Sequence, residues 1–397
     1  MNSPTQTARK YLMGTACAGL FTFGVMTSFL GATLPELSTR LNFDLARGGA
    51  LFSFLYLPQI VMVFLAGPLI DRFGKRPVLV VGFLLSAAAL LGVAYAPTYA
   101  SLGALLVVLG LGGCSAMSAS NTLIPDLYPE NPSSALNLGN IFFGLGAIFF
   151  PGLVALLTER LGLTPTLWLI AALVASVALV AFLETFPPAG AAGGFDWVEA
   201  RRVALDPVVI LLGWVLFFYS TLEISTAGFA RTFLVQEFSA TPQASKTILT
   251  VFWVALMLGR LAASQIVKSV RGPRLVLAAS VGAVAGLTLL AVAPNVVVAT
   301  LGIVICGLSY APVFPTTAGT ASTHFPKLFG TVFGTLMTLA LFGGAVGPPA
   351  IGYVVKNLTV RAGIGVMVGC AVLLLITQAL FVSYERRRMT RAVTSEK

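Results

Sequence analysis

Residues 66–82 read AGPLIDRFGKRPVLVVG, and this stretch decides how the chain is to be folded. Asp71, Arg72, Lys75 and Arg76 stand within one short turn, while the flanking residues, near 49–69 and 78–96, are almost wholly apolar. Each flank is long enough to cross a hydrocarbon core of about 30 Å as a helix, so the whole reads as a membrane hairpin. Gly67 lets neighbouring helices approach closely, and Gly74 permits a tight turn. Asp71 is placed to pair with a cation or with a helix N-terminus, whose partial positive charge attracts carboxylates.

The same pattern continues outward in both directions. Of 397 residues, 57% are apolar and only 10% charged, against roughly 25% charged in a soluble domain. That excludes a water-soluble enzyme, a nucleic-acid-binding domain and a disulfide scaffold. Apolar runs fall near 12–34, 49–69, 78–96, 100–123, 135–158, 165–184, 207–229, 244–267, 273–293, 296–319, 328–354 and 361–383, which predicts an all-α membrane protein of twelve spans. The first run has no small-residue cleavage site after it and is read as a retained span. The net charge of +10 reports orientation. With both termini inside, Lys and Arg favour the cytoplasmic side by roughly two to one, as the positive-inside rule requires. The expected location is the plasma or inner membrane, with lipid as the surroundings and no nucleic-acid partner.

Cys17, Cys114, Cys306 and Cys370 lie far apart in apolar runs and suggest neither a metal site nor a disulfide. No glycine-rich phosphate loop is present, so no cofactor is expected and energy must come from a gradient.

The longest polar interruption, 185–206, begins with Pro and Gly and contains an amphipathic piece around Phe195–Ala204. It divides the chain into a six-helix half at 1–184, a linker, and a second half with a basic tail at 207–397. An offset of 197 residues superimposes landmarks of the halves: Gly110 on Gly307, Pro129 on Pro326, Gly146 on Gly343, Pro151 on Pro348, Phe21 on Phe218 and Gly31 on Gly228. Related halves imply a solute site near the midplane and alternating access. One chain carrying both halves is expected to work as a monomer.

Written as a pattern, Gly67-x3-Asp71-Arg72-x-Gly74-Lys75-Arg76 resembles the signature loop of the major facilitator superfamily, at the same place in the topology. The resemblance implies a cytoplasmic gating loop. The second-half stretch GRLAASQIVKSVRGPR keeps Gly259-Arg260 as its counterpart but has Lys268 where the acid would stand. Any acidic latch is therefore expected to rest on Asp71 alone. Further stretches are similar to the fucose and glucose/mannose type of sugar:proton symporter. These are NTLIPDLYPENPSSALNLGNIFFGLGAIFFPGL at 121–153, FFYSTLEISTAGFARTFL at 217–234, VFWVALMLGRL at 251–261, VFPTT at 313–317 and FGGAVGPPAIGY at 342–353. The chain departs from that family where coupling acids would stand, carrying Met117 four residues before Asn121 and Gly31 four before Pro35.

Of 14 acids, only Glu223 falls well inside a span. An ionisable side chain at that depth costs about 2.5–3.5 kcal/mol on insertion scales, which makes it a functional candidate. It is read as a proton carrier or an acceptor for a sugar hydroxyl, with Tyr219, Ser220 and Thr226 on its helical face. The alternative is a structural hydrogen bond or an ion pair with Arg231 or Arg260, although Arg231 is about 12 Å along an ideal helix and Arg260 is expected deeper toward the cytoplasm. Gln59, Asn121, Asn137 and Asn140 extend the candidate solute site, with Trp253 as a stacking surface. Small hydroxyl residues elsewhere are read as helix packing, and His324 as a loop residue.

Together these predict a secondary transporter without catalytic chemistry, moving a monosaccharide or polyol, with or without a proton. Two alternatives stay open: export of amphipathic compounds by proton antiport, and a receptor or interaction protein that no longer transports.

Overall fold

A computed structural model of the protein describes residues 6–43, 45–188 and 196–395. Within a bilayer no water is available to unpaired N–H and C=O groups, so an apolar run of this length closes its hydrogen bonds on itself as a helix. The elements in order are α1 (Gln6–Leu41), α2 (Leu45–Phe73), α3 (Lys75–Tyr95), α4 (Tyr99–Leu127), α5 (Pro132–Leu161), α6 (Leu163–Leu183), α7 (Trp197–Ala204), α8 (Pro207–Phe238), α9 (Pro242–Ile266), α10 (Gly272–Ala291), α11 (Val296–Tyr310), α12 (Val313–His324), α13 (Phe329–Asn357) and α14 (Val360–Ser395). Twelve helical stretches among the described residues are long and apolar enough to cross a membrane, with α11 and α12 forming one of them. The expected amphipathic piece appears as the short α7; its first residue, Phe195, lies outside the described residues.

Polar residues mark where helices start. Thr98 and Ser101 form a reciprocal capping box on α4, Asp206 caps α8 with Pro207 at its first position, and Asn295 caps α11. Gly74 separates α2 from α3 at φ 88°, a conformation that residues with a Cβ avoid. The tenth crossing is not one continuous helix. It breaks between Tyr310 and Val313, because Pro312 lacks an N–H and its ring crowds the preceding turn.

The chain forms two compact units. Unit 1 comprises Met1–Glu130, Gly139–Ala200 and Phe325–Gly334. In it α3 packs on α4 and α6, and α4 on α1 and α2, around Phe29, Phe83, Leu90 and Leu106. Unit 2 comprises Asn131–Leu138, Arg201–His324 and Thr335–Lys397. In it α10 packs on α11 and α14, and α8 on α14 and α9, around Phe233, Phe252, Leu287 and Phe381. These units differ from a simple cut at the linker, since the start of α5 belongs with unit 2 and the start of α13 with unit 1.

The internal repeat reappears as repeated packing. A Cβ on Gly110 would lie 2.2 Å from the Leu55 carbonyl oxygen, and one on Gly307 would lie 2.7 Å from the Phe252 carbonyl oxygen. Both partners in the second contact are the first pair shifted by the sequence offset. Gly146 meets the Phe21 carbonyl and Gly343 the Phe217 carbonyl, one residue from the place the offset gives. Small residues let helix backbones touch where lipid supplies no hydrophobic drive for association.

The α3–α4 crossing offers a reciprocal test of this packing, since Gly82 and Gly112 face each other's carbonyl oxygens and an added Cβ on either would stand 2.7 Å away. Gly112→Val is expected to destabilise the protein by about 1–3 kcal/mol through overpacking, read as a lower Tm in detergent. Gly14→Ala, where no atom lies within 4 Å of an added Cβ, should leave the Tm unchanged.

Candidate functional site

In unit 2, three helices bring an acid, a base and two phenols together. α8 supplies Tyr219, Glu223 and Thr226 from one face, as their spacing requires. α9 supplies Arg260, and α11 ends at Tyr310. Arg260 Nη2 lies 4.0 Å from Glu223 Oε1, with side-chain exposures of 3% and 16%. Tyr219 is buried beside both groups, one turn before Glu223 on α8. Tyr310 and Thr226 share a hydrogen bond of 3.1 Å between their hydroxyls. The rings of Tyr219 and Phe252 stand edge-on to Tyr310, with centroids 6.5 and 6.3 Å away.

Arg260, expected to lie deeper toward the cytoplasm than Glu223, brings its guanidinium to 4.0 Å from that carboxylate, the ion pair that stood as the alternative reading. Gly259 packs on Leu308 and Ala311 beside the helix break, and Arg260 belongs to the buried cluster. Trp253 is half-buried and edge-on to Phe252 at 5.2 Å.

Unit 1 gathers amides rather than charges. Asn140 Nδ2 donates to Asn121 Oδ1 at 3.0 Å, and Asn121 Nδ2 donates to the Met117 carbonyl at 3.1 Å. Gln59 Nε2 donates to the Leu55 carbonyl at 3.1 Å, one turn back on its own helix. All three are buried. Asn137 has other partners. It lies in unit 2, fully buried, donating to the Ser133 carbonyl at 2.8 Å and to Thr316 Oγ1 at 2.9 Å.

The charged turn sits in unit 1 and caps a helix start. Asp71 accepts from Gly330 N at 2.9 Å, from Thr331 N at 2.6 Å and from Thr331 Oγ1 at 2.6 Å, so its carboxylate covers the first amides of α13. Gly67 lies against Gly330, where an added Cβ would stand 2.4 Å from the carbonyl oxygen. Lys75 pairs with Asp126 of α4, and Arg76 donates to the Phe182 carbonyl, while Arg72 is exposed.

The equivalent arrangement in unit 2 is neutral. By the repeat offset, Thr331 corresponds to Ser134 and Gly67 to Ser264, and Ser134 Oγ donates to the Ser264 carbonyl at 2.6 Å. Asn137 and Thr316 complete it. Sequence reasoning missed Ser134, Ser264 and Thr316, because neutral hydroxyls leave no charge signature. It also missed Tyr310, although the nearby Pro312 and Pro315 mark a helix break, and broken helices point to sites in transporters. His324 is the last residue of α12 rather than a loop residue, its Nε2 lying 3.6 Å from Glu385 Oε1.

The family model described as the Major Facilitator Superfamily matches residues 16–348 and again 213–397. A TsgA homolog from Buchnera aphidicola subsp. Schizaphis graminum is 22% identical over 246 residues, 62% of this chain and 63% of that protein. The chain thus spans somewhat less than two thirds of that relative's length. The fucose:proton symporter of E. coli has the same fold, with a TM-score of 0.80 at 17% identity over 93% of this chain and 98% of that one. The proton:xylose symporter XylE gives 0.74 at 14% identity over 96% and 97%.

Because Asp71 satisfies two amides and a hydroxyl at once, Asp71→Asn, which turns an NH2 toward those donors, is expected to cost about 1–3 kcal/mol locally. Hydrogen exchange should show this as roughly 5- to 150-fold faster exchange at Gly330 and Thr331, with the core of α4 unaffected. Ser134→Ala, which removes one neutral bond, should change exchange less.

Proposed function

Since the chain belongs to the major facilitator superfamily, we propose that it takes up a small polyol or monosaccharide by alternating access, with Glu223 carrying a coupling proton. The observation that carries this reading is the position of Glu223 on α8, facing Arg260 at 4.0 Å and one turn from Tyr219, whose ring stands edge-on to Tyr310 at the break that ends α11. Membrane transporters place ion and solute sites at such discontinuities, and an ionisable side chain at membrane depth is retained for work. Fold likeness to symporters whose names state fucose and xylose supports a sugar-like solute. The amides at Gln59, Asn121 and Asn140 supply groups of the kind that recognise hydroxyls.

In this reading the termini face the cytoplasm of a plasma or inner membrane, in keeping with the bias of Lys and Arg. Asp71, with Gly67, Arg72, Gly74, Lys75 and Arg76, holds one conformation of the cycle by capping α13, and the monomer is the working unit. A second reading, export of amphipathic compounds, is favoured by one observation: Gln59 and Asn121 spend amide hydrogens on carbonyls of their own helices.

The test is uptake of a labelled hexose and polyol panel into proteoliposomes, with and without an inward proton gradient. Wild type should accumulate a panel member at least tenfold when the gradient is imposed. Glu223→Gln should abolish accumulation while solute exchange persists. Absence of flux in both proteins would reject the sugar reading in favour of amphipathic substrates.

A further inference from the structure

Where α3 begins and α6 ends, unit 1 carries a cleft whose charge its own chain does not balance. From it we infer that this cleft binds an anionic phospholipid through the lipid's phosphate. The inference concerns neither the solute nor its coupling and holds whichever solute is moved.

The cleft has a volume of about 260 Å³, and its walls include Phe73, Lys75, Arg76, Thr185, Phe186 and Pro188. Among the described residues that line it there are two cations and no acid. Lys75 is paired with Asp126. Arg76 donates to the Phe182 carbonyl, and its guanidinium stands 5.1 Å over the Phe182 ring, so its partners there are neutral. Arg72, exposed just before the cleft, stands 5.0 Å over the ring of Phe73. The acids next to these stretches in sequence are engaged elsewhere. Asp71 accepts from Gly330 and Thr331, and Glu184 accepts from Thr15 Oγ1 at 2.8 Å. Residues 189–195, which carry the chain onward from the cleft, contain no acid.

Unit 2 shows the same place with an anion supplied by the chain. The repeat offset carries the start of α3 at Lys75 onto that of α10 at Gly272, and the start of α6 at Leu163 onto that of α14 at Val360. It also carries Gly74 onto Arg271 and Pro188 onto Glu385. α14 runs on as a helix to Ser395, and Glu385 Oε2 lies 3.9 Å from Arg271 Nη2. α6 instead stops at Leu183, because Pro187 and Pro188 lack the N–H that a continuing helix would use and crowd the turn before them. Unit 1 thus loses the acid together with the helix, while its cations remain.

A guanidinium fork matches the oxygens of a phosphate. Basic pockets between membrane helices on the cytoplasmic side bind anionic lipid headgroups, and the bias of Lys and Arg puts this end on that side in the reading above. The surface leading away from the cleft favours a lipid over a free phosphate. Leu179, Phe182 and Leu183 share one face of α6 at i, i+3 and i+4, and all three are exposed. An acyl chain can lie along that apolar face while its phosphate stays at Arg76.

The full chain in dodecyl maltoside micelles tests this, with Tm followed as phosphatidylglycerol, phosphatidylcholine or inorganic phosphate is added. Phosphatidylglycerol should raise the Tm along a saturable curve. Phosphatidylcholine, whose choline balances its own phosphate, and inorganic phosphate at the same concentration should not. Arg76→Gln removes a charge-assisted contact and should move the phosphatidylglycerol midpoint up by about tenfold or more. Arg274→Gln, at an exposed cation of unit 2, should leave the midpoint in place. Pro188→Glu supplies the acid that unit 2 carries, so it should compete with the lipid and raise the midpoint by about tenfold. Because Pro188 is exposed, this variant decides the matter should Arg76→Gln fail to fold. An equal response to phosphatidylcholine or to inorganic phosphate would overturn the inference. So would a midpoint that Arg274→Gln moves as far as Arg76→Gln does, or that Pro188→Glu leaves unchanged.

Discussion

The constraint on which the rest of this structure depends is that a backbone inside hydrocarbon has only itself for hydrogen bonding. It turns every apolar run into a helix and confines irregular backbone to places enclosed by protein. The break after Tyr310 obeys this rule, because Tyr310, Ala311 and Val313 are all fully buried. A proline that would simply end a helix in water here leaves freed carbonyls in a protected interior. The same enclosure gathers Tyr219, Thr226, Arg260 and Glu223 near the break, through the Thr226–Tyr310 hydrogen bond and the packing of Gly259 on Ala311.

Helix association in this medium has to come from close contact and from polar bonds rather than from escape from water. Glycines at 110 and 307, and at 146 and 343, bring backbones against carbonyl oxygens at equivalent places in the two units. Substituting a larger residue at such a crossing moves backbone, which explains why landmarks at these positions survive in both halves while the intervening apolar residues differ freely.

Charge is used sparingly and unequally. Unit 1 holds the start of α13 with the carboxylate of Asp71, a charge-assisted arrangement of three hydrogen bonds. Unit 2 holds the start of α5 with hydroxyls and an amide. The two fastenings occupy equivalent places but differ in strength and in sensitivity to protonation. The interior of unit 2 instead holds an acid and a base facing each other, a neutral pair whose balance any bound proton or ion must change.

By itself the sequence determined what depends on composition and local spacing. The twelve spans follow from run length, the turn at Gly74 from its φ requirement, the family from the Gly67-to-Arg76 pattern, and the isolation of Glu223 from the absence of other acids in the spans. Even the neutral character of the second fastening was half-visible in Lys268, which stands where an acid would be needed. Only the tertiary structure decided which distant groups meet. It brought Arg260 to 4.0 Å from Glu223 because α9 packs on α8, a docking that the sequence of neither helix states. It gave Asn137 and Asn140, three residues apart on α5, different partners, Thr316 for the first and Asn121 for the second. It made Tyr310 part of the site because a break re-aims the residue before it. Spacing along one helix is a local property, whereas these pairings depend on how separate helices are docked.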